Sequence, residues 1–329
     1  MLSQRLSLAL KSSAIVLPDD GQIAVIGARA DDNLGDLPKN RVEVVQRHFA
    51  HHAHFQNAGY AVSTSVGGPY SMSIIALPRA KTEAQQTIAR AAQATDGPLI
   101  IDGQKNDGID SVLKAVRQAG EVGDVIAKAH GKMFAVIDAD FSNWHDAVPT
   151  RIANRFVTAP GVFSADGVDP GSEALAAAIP ANFTGRVVDL GAGWGYLSDT
   201  ILRRDGVTHV DLVEADFVAI EAARQNILDK RAEFHWADAR DWRPAGPVDH
   251  VVTNPPFHQK RAAEASLGQA FIRSAARILG AKGQLWLVAN RHLPYEQTLE
   301  DAFHTVQSLG QNSSFKLFHA KSPRRRRIG

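Results

Sequence analysis

Two short segments of the chain carry residue types at spacings that can do chemistry. The first is Val187-Val188-Asp189-Leu190-Gly191-Ala192-Gly193-Trp194-Gly195, an apolar run entering three glycines at alternate positions. Glycine lets the backbone turn tightly and lets a ligand approach where a Cβ would block it. Such a loop fits a dinucleotide, a nucleoside or an empty tight turn. Two details favour S-adenosylmethionine. Dinucleotide spacing, G-x-G-x-x-G, needs a further glycine where Tyr196 stands. Asp189 also sets a carboxylate near the loop, suited to an ammonium group or bridging waters, whereas a pyrophosphate would be repelled. Glu214, at the end of the next apolar run, can accept from both hydroxyls of a ribose, or else is a solvated acid at a helix start. Asp238 can receive an adenine amine, a role for which Asp241 competes.

The second segment is Thr253-Asn254-Pro255-Pro256-Phe257-His258. Consecutive prolines fix their own φ angles and cannot continue a strand ladder, so the backbone here is stiff. An exocyclic amine is a poor nucleophile because its lone pair is delocalised into the ring. Two acceptors, the Asn254 side-chain oxygen and the Pro255 carbonyl, can hold its N–H groups out of plane. Phe257 offers a face on which an extruded base can stack. The competing reading is a proline turn capped by Asn254, with Phe257 in the core.

Both segments need strand ends to hold them. Short apolar runs alternate with helical patterns along the chain, which predicts βαβ units and a mostly parallel sheet. In the second half, strands are expected over 186–190, 209–213, 233–236, 250–253, 284–289 and 315–320. Helices are expected after Gly195 and over 217–228, 269–279 and 296–306. The first half repeats this order. Gln22–Gly27 matches Arg186–Gly191, and Ser73–Pro78 matches His250–Pro255. Pro98–Asp102, a helix at Val112–Val116 and Met133–Ile137 complete it. The segment 140–157 lacks a sustained period and holds Pro149, so the boundary is expected near residue 150, giving domains 1–150 and 151–329. All named site residues then fall at carboxyl ends of strands, where open α/β sheets bind ligands.

Composition bounds the function classes. A length of 329 residues predicts about two domains, and 44% hydrophobic with 22% charged residues is globular. Net charge of +1 provides no strongly basic field, so nucleic-acid contact must be local. No cysteine is present, which excludes disulfides, thiol catalysis and Cys-ligated zinc. The start of the chain lacks a signal-peptide pattern and no run approaches a membrane span, so a cytoplasmic protein is expected.

Together these residues resemble the bacterial ribosomal-RNA guanine-N2 methyltransferases, the RsmC family first and the RlmG family second. The likeness spans most of the chain. It rests on Pro160-Gly161-Val162-Phe163-Ser164-Ala165-Asp166-Gly167-Val168-Asp169-Pro170-Gly171-Ser172, on Asn254-Pro255-Pro256-Phe257-His258, on Val288-Ala289-Asn290 with Leu293-Pro294-Tyr295, and on Phe315-Lys316-Leu317-Phe318. It implies two tandem Rossmann-like class I methyltransferase domains, the N-terminal one degenerate and serving structure or RNA recognition. It also implies guanine N2 in 16S ribosomal RNA as substrate, without metal or DNA. The RNA is free or within the small subunit. Phe163 and Gly171 would join Asp189, Gly191, Gly193, Gly195, Glu214 and Asp238 around the cofactor. Ala76-Leu77-Pro78-Arg79 replaces the Asn-Pro-Pro-Phe turn in the first half, and Gly27, Arg29 and Asp31 replace the three glycines. Trp194 departs from the small residue usual there, and is expected to crowd or stack near the cofactor. Rival readings are methylation of 23S guanine, adenine N6 or protein glutamine, and a non-catalytic RNA-binding protein.

Three features lie outside this scheme. His48, His51, His52 and His54 share an expected helix, and His48 with His52 has metal-ligand spacing, although a polar face is favoured. Lys321–Arg327 is a basic run suited to phosphates or to solvent. Asp102–Gly108 resembles a phosphate loop but lacks the Gly-Lys-Ser/Thr ending and reads as a turn.

Overall fold

Runs such as Val187-Val188 and Val251-Val252 are apolar on consecutive residues, the mark of parallel strands covered on both faces. Both pairs are fully buried. The computed structural model describes residues 2–144, 150–256 and 261–324, and the chain divides into two units, Met1–Pro149 and Thr150–Gly329.

The first unit runs α1 (Leu2–Lys11), β1 (Ile23–Ile26), β2 (Val42–Val45), α2 (Phe49–Asn57), β3 (Ala61–Ser63), β4 (Met72–Ala76), α3 (Lys81–Gln93), β5 (Leu99–Gln104), α4 (Ile109–Ala119), β6 (Glu121–Val122), β7 (Ile126–Lys128) and β8 (Gly131–Ile137). Its sheet has the order β3-β2-β1-β4-β5-β8-β6, with β7 also on β8. Asp102 of β5 is buried against Arg5 of α1, whose Nη2 donates to Oδ2 at 2.8 Å. Lys105–Asp107 of the suspected phosphate loop forms a 3₁₀ turn.

The second unit opens with a hairpin, β9 (Thr150–Ile152) and β10 (Phe156–Thr158). There follow α5 (Pro170–Ala178), β11 (Gly185–Leu190), α6 (Tyr196–Leu202), β12 (Val207–Glu214), α7 (Phe217–Asn226), β13 (Ala232–Trp236), β14 (Val248–Thr253), α8 (Arg261–Ile278), β15 (Leu279–Asn290), α9 (Glu296–Ala302), β16 (Phe303–Gln311) and β17 (Phe315–Pro323). The sheet order is β13-β12-β11-β14-β15-β17-β16, parallel except that β17 lies antiparallel to β15 and β16. Both units are therefore Rossmann-like sheets whose order reverses direction beside the first strand, β1 or β11. That switch point opens a crevice at the strand carboxyl ends.

One expected element is different. The helix begun at Glu296 stops at Ala302, and Phe303–Gln311 pairs with β17 instead of continuing to Val306. Phe303 is buried in the core shared with Leu299 and Phe318. The run Thr305-Val306 suits a strand, and its neighbour β17 decides the matter.

Candidate active site

The three loop glycines do three different jobs. Gly191, Gly193 and Gly195 all have left-handed φ, at 75°, 56° and 94°. Gly191 reverses the chain off β11, its N–H donating to the Val213 carbonyl at 2.8 Å. At Gly195 a Cβ would lie 2.8 Å from Ile227 Cδ1 and 3.3 Å from Ala223 Cβ, so this glycine serves packing against α7. At Gly193 a Cβ would meet nothing within 4 Å, and the residue lines an open cleft. Glu214, half-buried at the end of β12, accepts from Gly193 N at 2.9 Å and from Asp216 N at 2.8 Å. Burial raises its pKa, against the pull of those backbone N–H groups.

Asp189 does not face that cleft, contrary to the expectation that it sits near the loop's ligand side. It is fully buried, with Oδ2 accepting from Ser198 Oγ of α6 at 2.7 Å and Oδ1 unpartnered. Strand alternation turns it inward, beneath the first turns of α6. Burial lifts its pKa to about 7; the Ser198 hydrogen bonds oppose the shift and the charge of Glu214 adds to it.

The second segment leaves β14 beside the glycine loop. Thr253 Oγ1 donates to the Leu190 carbonyl at 2.7 Å, joining the ends of β14 and β11. Asn254 is 8% exposed, and Nδ2 donates to both Asp169 Oδ2 and Ser172 Oγ at 2.8 Å. Its Oδ1 is buried without a partner. Pro255 is buried and Pro256 exposed, while Phe257 lies outside the described residues. A cleft is lined by Gly191, Gly193 and Asn254, together with Phe163 and with Asp169 and Ser172, the two partners of the Asn254 amide. An open glycine position and an orphaned buried acceptor in one cleft are what a bound polar ligand would fill.

Other expected residues have different duties. Gly171 sits in the first turn of α5, where a Cβ would come within 3.0 Å of Asp169 Oδ2 and 3.2 Å of Phe315 Cε1. It clears space for Asp169 and does not line the cleft. The Asp238 carboxylate is paired with Arg240, whose Nε donates at 2.9 Å and 3.0 Å. Trp194 is among the residues that line the cleft. The indole is buried against Phe156, and Nε1 donates to the Phe163 carbonyl at 3.1 Å. Asn226 adds to this clamp: Oδ1 accepts from Val157 N at 2.7 Å, while Nδ2 donates to the Val157 and Trp194 carbonyls, each at 2.9 Å.

Sequence reasoning did not give Asp169 and Ser172 a role. A signal was present, because Asp169-Pro170 announces a helix start, and Asp169 does cap α5 through Ser172 N at 2.7 Å. Among the described residues, His209, Asp211 and Glu233 have metal-ligand types close together. There Arg186 holds Asp211 at 2.9 Å and 3.1 Å, and the histidine ring nitrogens approach the same carboxylate, so the group is an ion-pair network. In the first unit, α2 turns His51 inward to accept from Ala30 N at 3.2 Å. No helix among the described residues is long and apolar enough to cross a membrane.

Comparison with known proteins agrees with this geometry. The chain is 30% identical to the ribosomal RNA small subunit methyltransferase C of Hahella chejuensis, over 66% of this chain and 67% of that protein. It is 26% identical to the enzyme of the same name from Alteromonas mediterranea, over 93% and 96%. Among solved structures it is similar to the T. thermophilus 16S rRNA N2 methyltransferase (RsmC) in complex with AdoMet and guanosine. That match has a TM-score of 0.78 and 25% identity, covering 93% of this chain and 90% of the other. The family described as Methyltransferase small domain N-terminal matches residues 17–135, and Methyltransferase small domain matches residues 153–319, which hold every side chain of the cleft. The chain belongs to the methyltransferase small domain family.

Proposed function

We propose that the enzyme transfers a methyl group from S-adenosylmethionine to the exocyclic N2 amine of a guanine in 16S ribosomal RNA. The observation that carries this reading is the buried, unpartnered Oδ1 of Asn254 in the same cleft as Gly191 and Gly193. The substrate class is supported by the relatives, which are named as small-subunit rRNA methyltransferases, and by the solved relative holding AdoMet with guanosine.

S-adenosylmethionine, when bound, supplies an electrophilic methyl group on a sulfonium. In this reading Gly191 and Gly193 leave room for it, Glu214 faces its ribose and Phe163 flanks it. Asn254 Oδ1 accepts one N–H of the target amine and the Pro255 carbonyl accepts the other. With both N–H groups held, the nitrogen lone pair is drawn out of conjugation and aimed. Pro255 and Pro256 keep the second acceptor from drifting. Proton loss follows transfer, so neither acceptor has to be a strong base. Alignment of two bound reactants supplies roughly 7–11 kcal/mol of the barrier reduction. Phe257 stacking on an extruded base completes the proposal.

The first unit is assigned to RNA recognition or to structure, and its partner is ribosomal RNA, free or in the small subunit. That substrate puts the enzyme in the cytoplasm. Asn254→Ala is expected to lower methyl transfer to 16S rRNA about 100-fold or more, with S-adenosylmethionine affinity within about twofold. Unchanged turnover would exclude the mechanism. Mass spectrometry of the modified RNA should find N2-methylguanosine; N6-methyladenosine would overturn the choice of base.

A further inference from the structure

An Asn amide can be turned end for end at little steric cost, so its surroundings decide which end faces a ligand. At Asn254 the two ends have opposite meaning. The oxygen receives the N–H of an amine; the nitrogen would repel it and welcome a carbonyl instead. Two groups reach the buried end of this amide, Asp169 Oδ2 and Ser172 Oγ, both at 2.8 Å from Nδ2. They are not equivalent. A hydroxyl both donates and accepts, so Ser172 would be satisfied with either end of the amide. A carboxylate only accepts, so Asp169 can face the nitrogen and not the oxygen. The backbone holds Asp169 in place from a second side, because the same Oδ2 accepts from Ser172 N at the start of α5.

We infer that Asp169 is a positioning residue that sets the polarity of the Asn254 amide and thereby makes the site selective for an amino group over a carbonyl or hydroxyl. This rests on the proposed amine chemistry and names what enforces it. Ser172 is the lesser partner, since it adds a hydrogen bond without choosing a direction. The helix cap and the polarity lock share one oxygen atom. A substitution that keeps the cap but shortens the reach therefore separates them. Asp169→Ser does this, because serine caps helices about as well as aspartate.

The test compares guanosine with inosine, which lacks the exocyclic amine, by calorimetric titration of the full chain saturated with S-adenosylhomocysteine. Wild type is expected to prefer guanosine by about tenfold or more, the value of an unmet buried acceptor. Asp169→Ser should bring that ratio to within about twofold of unity and lower turnover at least about tenfold, with KM for S-adenosylmethionine and the melting midpoint little changed. Asp169→Ser combined with Asn254→Asp should restore the preference, because a carboxylate presents an acceptor whichever way it turns. A purely structural role for Asp169 gives no such rescue. Ser172→Ala should lower turnover by about threefold while keeping most of the preference. If Asp169→Ser retains the wild-type ratio, or if Ser172→Ala is the variant that loses it, Asp169 does not set the polarity. If wild type itself shows no preference, the amine reading of the site fails and this inference falls with it.

Discussion

The two units share a strand order but treat the end of their first strand in opposite ways. In both, the first glycine is left-handed, φ 78° at Gly27 and 75° at Gly191. In both its N–H bonds across to the second strand, at Val45 or Val213. Beyond that residue they part. In the second unit the N–H at position 193 is taken by Glu214 from the neighbouring strand, leaving the space above Gly193 open. In the first unit the matching residue is Arg29, whose N–H is taken by Asp32 of its own loop, and His51 takes the next one. Gln46 stands where Glu214 stands, and donates its amide to the Ala28 carbonyl at 2.6 Å. Between β1 and β2 there is a 3₁₀ turn, Lys39–Arg41, where the second unit has α6. The first unit has thus satisfied its loop with its own side chains. In both units these loop N–H groups are met from within the protein, so what sets the second apart is the space left open above Gly193.

Exchanging residues between the units sharpens the contrast. The largest effect is expected from Gly193→Arg, which puts the first unit's residue at a left-handed position on the cleft wall. S-adenosylmethionine affinity should fall about 100-fold or more by titration calorimetry, equal to about 3 kcal/mol. The reciprocal Arg29→Gly should leave affinity and turnover within about twofold. A comparable loss from both would mean that the first unit also binds the cofactor.

Glu214→Gln is the milder exchange. It removes one acceptor and sets an N–H₂ against either Gly193 N or Asp216 N, so affinity should drop about tenfold, near 1.4 kcal/mol. An unchanged dissociation constant would remove Glu214 from the proposed site.

The smallest effects concern stability against pH. Asp189 has a raised pKa, about 7 in the folded chain against 3.8. Its contribution is full below pH 3.8 and lost as pH rises through 7, so Asp189→Asn should flatten the melting profile over that window. His51 and His319 are held near 4 against 6.5, chiefly by burial. Their contribution is present above pH 6.5 and lost as pH falls toward 4. His51→Gln should remove that acid-side slope from the first unit and His319→Gln from the second; matching slopes in wild type and variants would refute the assignment.

Much of this was legible in the residues because β11 and β14 carry the apolar pairs Val187-Val188 and Val251-Val252 shortly before Gly191 and Asn254-Pro255. Their neighbours in the first unit are weaker signals, since β2 and β3 are three or four residues long and lack flanking turn dipeptides. The Leu299–Phe303 spacing looks helical, yet Phe303 begins a strand because β17 lies alongside. At the site, the amide and its prolines announce themselves. The partners that orient the amide stand 82 and 85 residues away, and only the closed fold brings them to it. Asp189 misled for a local reason, since a carboxylate two residues before Gly191 reads as facing the loop whereas strand alternation buries it.

Asn226 is the last residue of α7, and its one amide grips both Val157 and Trp194. The end of a helix and the wall of the cleft are thereby fastened by the same side chain. Displacing the Val157 or Trp194 backbone breaks hydrogen bonds made from the final turn of α7. Stability at the end of α7 and order in the Trp194 segment are thus tied through one amide.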